Sequence, residues 1–567
     1  MTDVVLVAPS TFPSLCRTWA AFLLREAKSL IPVNFWTEAK RIALVAGPVF
    51  LTQLMVFCIN IVSTIFCGHL GKIELDAVSL AASVISVSAL STGSGLAATC
   101  DTLFSQTHGS KNLKRIGVIL QRGILILMIF CFPCWALLIN TEHILLAFKQ
   151  PPEVVKLTTL YVKIFLPALP AVFLHQLEIK YLQNQGINMP QVFTGFLANI
   201  FNAVVNYVLI YVLSLGIRGS AIANVASQYC QAIFLFLYIR CRRLHVETWV
   251  GWSTDCLQEW GSFVRLAIPS MLMICIEWWS YEIGIFLSGL MNEVQLGAQC
   301  IIYHILSVLY MIPLGFSVSA SVHVGNALGA RSPQKAKTLA RVALLCTGSC
   351  AAVTCVILRA VSHALGYIFT SDKEIILLVA DVLPLVVIQQ LFDSLAAVSG
   401  GVLRGAGKQA LGAVVNLVGF YLIGFPIGIS IMFAGKLGIL GYWIGMTACV
   451  VVQFIFFQAV IYKLNWKKAS DQALVNAGMK KDMDSTQMVS GQMEDILTEN
   501  CSGNIAVIDV NSVEGTMRHC REEPSASKTT VGTGEEMLTM KQLIIRRGGV
   551  FLLAALILAI GLLVHKV

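Results

Sequence analysis

Charge is scarce in this sequence: Asp, Glu, Lys and Arg make up 13% of 567 residues, against about a quarter in ordinary soluble proteins. So little polar surface cannot coat the roughly three or four water-facing domains that the length would otherwise imply, so lipid is the expected solvent. The apolar fraction of 56% and the mean hydropathy of +0.76 agree. Catalytic wording is missing too. There is no His-Glu-x-x-His, no Gly-x-Ser-x-Gly elbow, and the ten histidines are scattered, which argues against a membrane-embedded protease or acyltransferase. Cysteines number 17, but most of them (Cys58, Cys67, Cys131, Cys134, Cys275, Cys346, Cys350) sit inside apolar stretches without paired spacing and read as buried free thiols. No signal peptide is visible: the first 38 residues are mixed and charged, with Arg17, Arg25, Glu26 and Lys28, and the first long apolar run begins near Ile42, so the N-terminus is expected in the cytosol. The net charge of +9 lies in short clusters between apolar runs, which excludes a nucleic-acid partner and points to membrane orientation.

What is present is a series of spans. A span needs about 20 mostly apolar residues, and twelve such stretches lie between Ile42 and Tyr462, centred near residues 53, 87, 128, 165, 201, 229, 274, 308, 347, 385, 421 and 450. A thirteenth run, Val550 to Val564, is marginally long and follows a polar stretch from Lys467 to Gly549. One set of alternate turns carries 16 Lys and Arg residues and the other set 6, so the positive-inside rule places the N-terminus and the linker in the cytosol and Val567 outside. The expected division is 1–38 as a cytosolic N-terminal segment, 39–250 and 251–466 as two six-span lobes, 467–548 as a flexible cytosolic linker and 549–567 as a thirteenth span. The linker mixes charges and has few aromatics, which suits a regulatory or dispensable segment, and its Asn500 sequon would stay unglycosylated.

The chain also repeats itself at a shift of 220 to 222 residues. Pro48 falls on Pro269, the segment Gly95 to Gly109 on Gly315 to Gly329, Leu182 and Gly186 on Leu403 and Gly407, and Leu215-Gly216-Ile217 on Leu437-Gly438-Ile439. Each copy holds an even number of spans, so both enter the membrane from the same side and a pseudo-twofold axis along the membrane normal should relate them. The expected fold is an all-α polytopic membrane protein: two six-helix bundles facing each other across a cleft, plus a thirteenth C-terminal helix. Such a plan suits an alternating-access carrier better than a channel or a receptor. Duplication for folding stability alone is the competing reading.

Four segments, Cys100 to Gly109 (CDTLFSQTHG), Ala267 to Trp279 (AIPSMLMICIEWW), Val324 to Ala330 (VGNALGA) and Gly400 to Gln409 (GGVLRGAGKQ), resemble the multidrug and toxin extrusion (MATE) family, in particular its vertebrate members with a thirteenth helix. The resemblance implies a plasma-membrane transporter, apical in epithelia, that exchanges cytosolic organic cations for external protons, works as a monomer and needs no cofactor beyond the proton gradient.

Ionisable residues inside spans are costly and are functional candidates by default. Glu277 and Glu282 lie on the seventh span and Asp393 on the tenth. A step of five residues turns a helix by about 140° net, so the two glutamates should have separate jobs. Glu277 shares a face with Tyr281, and Glu282 with Trp278. A carboxylate beside aromatic rings suits an organic cation. Burial disfavours the anion, so proton and cation should contend for the same group. One pH unit then supplies about 1.4 kcal/mol, roughly a tenfold gradient of a monovalent cation exchanged one for one.

By resemblance, Glu277 and Asp393 match the acidic pair of the second lobe that eukaryotic members use for proton coupling, and Glu282 matches a further acidic position of the vertebrate members, with solvation at the outer end of the span as the competing reading. Where those relatives carry Val-Tyr-Glu, this chain reads Ile302-Tyr303-His304. His304 is either a proton-sensing ligand or a core hydrogen bonder. Asp101 either lines the cytosolic mouth or anchors a helix end. The first span has no acid, only Gln53 and Asn60, which favours coupling through the second lobe. Trp278, Trp279, Tyr303 and Tyr310 are candidate cation-site linings, with packing as the competing role. Among Pro48, Pro167, Pro170, Pro269, Pro313, Pro384 and Pro426, Pro269 is the candidate hinge, eight residues before Glu277. A lipid-linked oligosaccharide flippase of the same superfamily would need cationic groups at mid-span, where this chain has acids; a sodium-coupled exporter stays open.

Overall fold

The computed structural model describes residue 32, residues 34–479 and residues 538–566. The N-terminal segment up to residue 31, most of the linker with Asn500, and Val567 therefore lie outside the described residues. Twelve helices are long and apolar enough to cross a membrane, and one bent pair makes a thirteenth span. In chain order they are α1 (Phe35–Gly68), α2 (Lys72–Gly109), α3 (Leu113–Ile139), α4 (Pro152–Phe165 joined to Ala168–Asn184), α5 (Met189–Val212), α6 (Gly216–Cys241), α7 (Trp260–Gly289), α8 (Glu293–Gly329), α9 (Pro333–Phe369), α10 (Lys373–Gly405), α11 (Gln409–Ala434), α12 (Ile439–Lys463) and α13 (Met540–His565). In hydrocarbon every backbone N–H and C=O must be paired within the segment, which is why an apolar chain of this kind resolves into helices. The outer faces are as apolar as the interior: Val353, Val356 and Ile357 of α9 are 59%, 70% and 57% exposed.

The repeat becomes physical at the helix ends. After α4 and after α10 the chain closes with the same cap: Ile187 N–H bonds Leu182 C=O and Lys408 N–H bonds Leu403 C=O, both at short range. Between them Gly186 and Gly407 sit at φ 79° and 70°, the left-handed conformation such a cap requires. Lys111 and Arg331, one repeat apart, also share positive φ, 63° and 57°. The fold is two six-helix bundles related by a pseudo-twofold axis, with α13 laid outside. Of the proline positions, Pro167 stands at the 58° break in α4, whereas α7 runs through Pro269 as one helix.

Two boundaries differ from expectation. The linker does not begin as free chain at 467, because Trp466–Asn476 forms a helix with Trp466, Ala469, Ala473 and Leu474 buried, a helical spacing that a polar composition masked. The last span is not the short run from 549 but a helix of 27 residues from Met540. Its first turns are held by Arg547, whose Nε donates to Leu257 O at 2.9 Å and whose guanidinium lies 4.6 Å from the Trp260 ring centroid. Further along, Asn140 Nδ2 of α3 donates to Gly561 O at 2.9 Å. The 14 described cysteines are all free.

Candidate functional site

The mid-span acids of α7 do take separate surroundings. On one side of the helix, Glu277 Oε1 accepts a 2.7 Å hydrogen bond from the Tyr310 hydroxyl of α8. Asp393 of α10, 7% exposed, lies within electrostatic reach of Glu277 and of Tyr281. The Tyr281 hydroxyl in turn accepts from Gln389 Nε2 of α10 at 3.2 Å. Glu277, Tyr281, Tyr303 and Tyr310 each keep partial exposure, as side chains lining a cleft do.

Glu282 belongs elsewhere. Its Oε1 accepts from the Tyr303 hydroxyl at 3.5 Å, and Ser83 of α2 also hydrogen-bonds it, so it stands between the two bundles with protein partners rather than being solvated at a helix end. Trp279 reaches the same neighbour: its indole N–H donates to Val87 O at 3.0 Å, inside the π-helical turn Ser86–Leu90 of α2. Such turns free carbonyls from the α-helical ladder. Trp278 is 38% exposed. His304 is exposed, and its Nδ1 lies 2.7 Å from Cys300 O one turn back in its own helix, with its ring against Tyr303. The structure does not bring it to either glutamate through a hydrogen bond. Gln53 is half-buried on α1. Asp101, 1% exposed, is engaged by Lys180 Nζ at 2.9 Å and Asn184 Nδ2 at 3.3 Å, which is the anchoring geometry.

Residues that the sequence left unmarked complete the site. Gln389 and Gln390 are buried beside Asp393 on α10, each with an unpartnered Oε1; two adjacent amides in an apolar run were the available signal. Arg404, counted above among the loop charges, is half-buried in the last turn of α10.

At the basic end of the molecule the two copies of the repeated segment cross. A Cβ on Gly109 would lie 2.1 Å from Asn326 O, one on Gly329 2.0 Å from Gln106 O, and one on Gly325 2.0 Å from Ser105 Oγ. Under the repeat Gly109 corresponds to Gly329, Gln106 to Asn326 and Ser105 to Gly325, so the first two contacts are one contact seen twice and the third sits on the axis. Around this crossing Gln106 Nε2 donates to Gly405 O at 3.0 Å and Thr102 Oγ1 to Arg404 O at 2.6 Å. The short helix Trp466–Asn476 covers it: Asn476 Nδ2 donates to Gln106 Oε1 at 2.8 Å, and Ser470 Oγ to Leu328 O at 2.9 Å. Backbone approaches this close, with hydrogen bonds from one lobe to the other, close the basic end of the cleft.

The MatE family profile matches residues 48–208 and again 269–429; the second match starts 221 residues after the first, the same shift as the internal repeat. "Multidrug and toxin extrusion protein 1" of Danio rerio is 53% identical over 96% of this chain and 92% of its own length. The Homo sapiens protein of the same name is 50% identical over 96% of each chain. Among solved structures, the eukaryotic MATE transporter AtDTX14 superposes with a TM-score of 0.76 at 30% identity, covering 78% of this chain and 100% of its own. The Vibrio cholerae MATE transporter VcmN, in its bent form, gives 0.65 at 16% identity over 78% of this chain and 100% of its own, a likeness of fold.

Proposed function

This chain belongs to the multidrug and toxin extrusion family and is a membrane transporter of organic cations, and from that premise we propose that it exports them in exchange for external protons, with Glu277 and Asp393 as the shared binding groups. The observation that carries the reading is the acidic pair itself: two carboxylates in electrostatic contact, one held by a 2.7 Å phenol hydrogen bond, partly open to a cleft lined by tyrosines. Two anions side by side in a low dielectric are stabilised by one bound positive charge. A proton or an organic cation can supply it, and a tyrosine-lined cleft favours the latter by cation–π attraction. Because the two ligands compete, entry of one displaces the other, and alternating access converts the competition into exchange. The basic end, with its excess of Lys and Arg, is the cytosolic end in this reading, and the crossing of the repeated segments is the cytosolic gate. Residence in the plasma membrane and function as a monomer go with the same reading.

The test is uptake of radiolabelled tetraethylammonium into proteoliposomes under an imposed pH gradient, in wild type, Glu277→Gln, Asp393→Asn and His304→Glu. Accumulation should follow the pH gradient, remain unaffected when sodium replaces the proton gradient's counter-ion, and collapse in both carboxylate variants. Full exchange in the two neutralised proteins, or uptake driven by sodium alone, sinks the mechanism.

A further inference from the structure

Arg404 has its side chain in one part of the machine and its backbone in another. The guanidinium Nη2 donates to Ser317 Oγ of α8 at 2.8 Å, and Ser317 Oγ itself donates to Ala397 O of α10 at 2.6 Å. A buried Nε is left without a hydrogen-bond partner. No carboxylate lies within salt-bridge distance of Arg404 among the described residues, yet its charge reaches both Glu277 and Tyr310. In the other lobe Asp101 is already paired with Lys180, and the groups nearest the backbone of Arg404 there, Thr102 and Gln106, are neutral. The backbone of the same residue lies in the gate: Arg404 O accepts from Thr102 Oγ1 at 2.6 Å, and Gly405 O, the next carbonyl, accepts from Gln106 Nε2 at 3.0 Å.

We propose that Arg404 is the positioning residue through which the charge on Glu277 and Asp393 sets the strength of the cytosolic gate, an inference that rests on the proton-coupled reading above. While the pair is anionic and empty, it attracts the guanidinium across a low-dielectric interior, where a unit charge acts over several ångströms. That attraction holds the last turn of α10 in register, so that its terminal carbonyls meet Thr102 and Gln106. A proton or a cargo cation on the pair cancels the attraction. The last turn then loses one of its restraints, and the gate that depends on its carbonyls weakens. The geometry gives a rigid route for this coupling, since one residue carries both ends of it and no intervening side chain has to move.

The measurement is a double-mutant cycle read by amide hydrogen exchange of the full-length protein in proteoliposomes at one pH, following the segments 102–109 and 405–409. Glu277→Gln stands in for the neutralised pair. In the presence of Arg404 it should speed exchange of both segments by about fivefold or more; in an Arg404→Gln background the same change should have no further effect, because the two substitutions break one interaction. Arg404→Lys, which keeps the charge, should restore most of the response. If Arg404→Gln does not fold, Thr102→Val cuts the same route at the gate and should likewise make exchange indifferent to Glu277→Gln. Additive effects across the cycle overturn the role of Arg404. Tetraethylammonium uptake on the same vesicles separates the two ideas: loss of proton-driven uptake in Glu277→Gln together with additive exchange removes only Arg404, whereas unchanged uptake in Glu277→Gln removes the coupling reading beneath it.

Discussion

At the scale of single residues, the useful distinction is between the two glutamates of α7. Their five-residue spacing puts them on different faces, and each has found its own phenol: Tyr310 at 2.7 Å from Glu277 and Tyr303 at 3.5 Å from Glu282. A hydrogen bond to a carboxylate contributes about 1.5–3 kcal/mol when short and weakens steeply at longer range. Tyr310→Phe should therefore lower the initial rate of proton-driven tetraethylammonium uptake by roughly tenfold or more, and Tyr303→Phe by less than about threefold; equal effects would contradict the separate roles. His304 illustrates the limit of reading residues by analogy. Its position is acidic in the relatives that the sequence resembles, yet its Nδ1 is occupied by the Cys300 carbonyl of its own helix. His304→Ala is expected to change uptake by no more than about threefold, the range of substitutions away from a buried network.

At the scale of elements, the helices outside the twelve-span core behave differently from one another. The apolar window of α13 is only 11% buried, so lipid supplies most of its surroundings and little core packing depends on it. A Cβ on Gly561 would meet Ala136 Cβ at 2.8 Å. Gly561→Leu is thus expected to lift the end of α13 from α3 while leaving the melting temperature of the core within a few degrees, a contrast measurable by limited proteolysis beside scanning fluorimetry. The helix Trp466–Asn476 is the opposite case: short, polar in composition, but buried through Trp466 and bonded to both lobes. Trp466→Ala removes a large buried side chain at a cost of about 3–5 kcal/mol and should lower the melting temperature and raise amide exchange in residues 102–109. Both helices were misjudged from composition, one because Arg546 and Arg547 interrupt its apolar run and the other because its apolar residues are few. In each case a tertiary partner, the Trp260 ring or the gate, makes up for what the local pattern lacks.

At the scale of the whole molecule, the duplicated architecture makes a symmetrical prediction. Gly109 and Gly329 approach each other's lobe at equivalent points, 2.1 Å and 2.0 Å from the opposing carbonyls once a Cβ is added. Gly109→Val and Gly329→Val should then loosen the gate equally, within about a factor of two in amide exchange at the opposite copy of the segment, since a pseudo-twofold contact broken from either side is the same contact. The covering helix is the one element that breaks this symmetry. It has no counterpart after α6, and a larger effect of Gly109→Val would trace to it through Gln106.

The sequence by itself determined the solvent, the thirteen spans, the duplication and the three acids, because each of these is written in composition or period: scarcity of charge, runs of about 20 apolar residues, a fixed shift, and ionisable groups where lipid penalises them. Even the repeat signature had a local cause, since Gly186 and Gly407 are the positions whose backbone must turn left-handed. Only the tertiary structure decided which acids meet and what faces them. Asp393 joins Glu277 from a span 116 residues away in the chain, Glu282 meets Ser83 of the other lobe, and Arg404 moves from the ledger of loop charges to the field of the acidic pair. Contacts of that separation leave no periodicity behind, so nothing short of the packed helices could have revealed them.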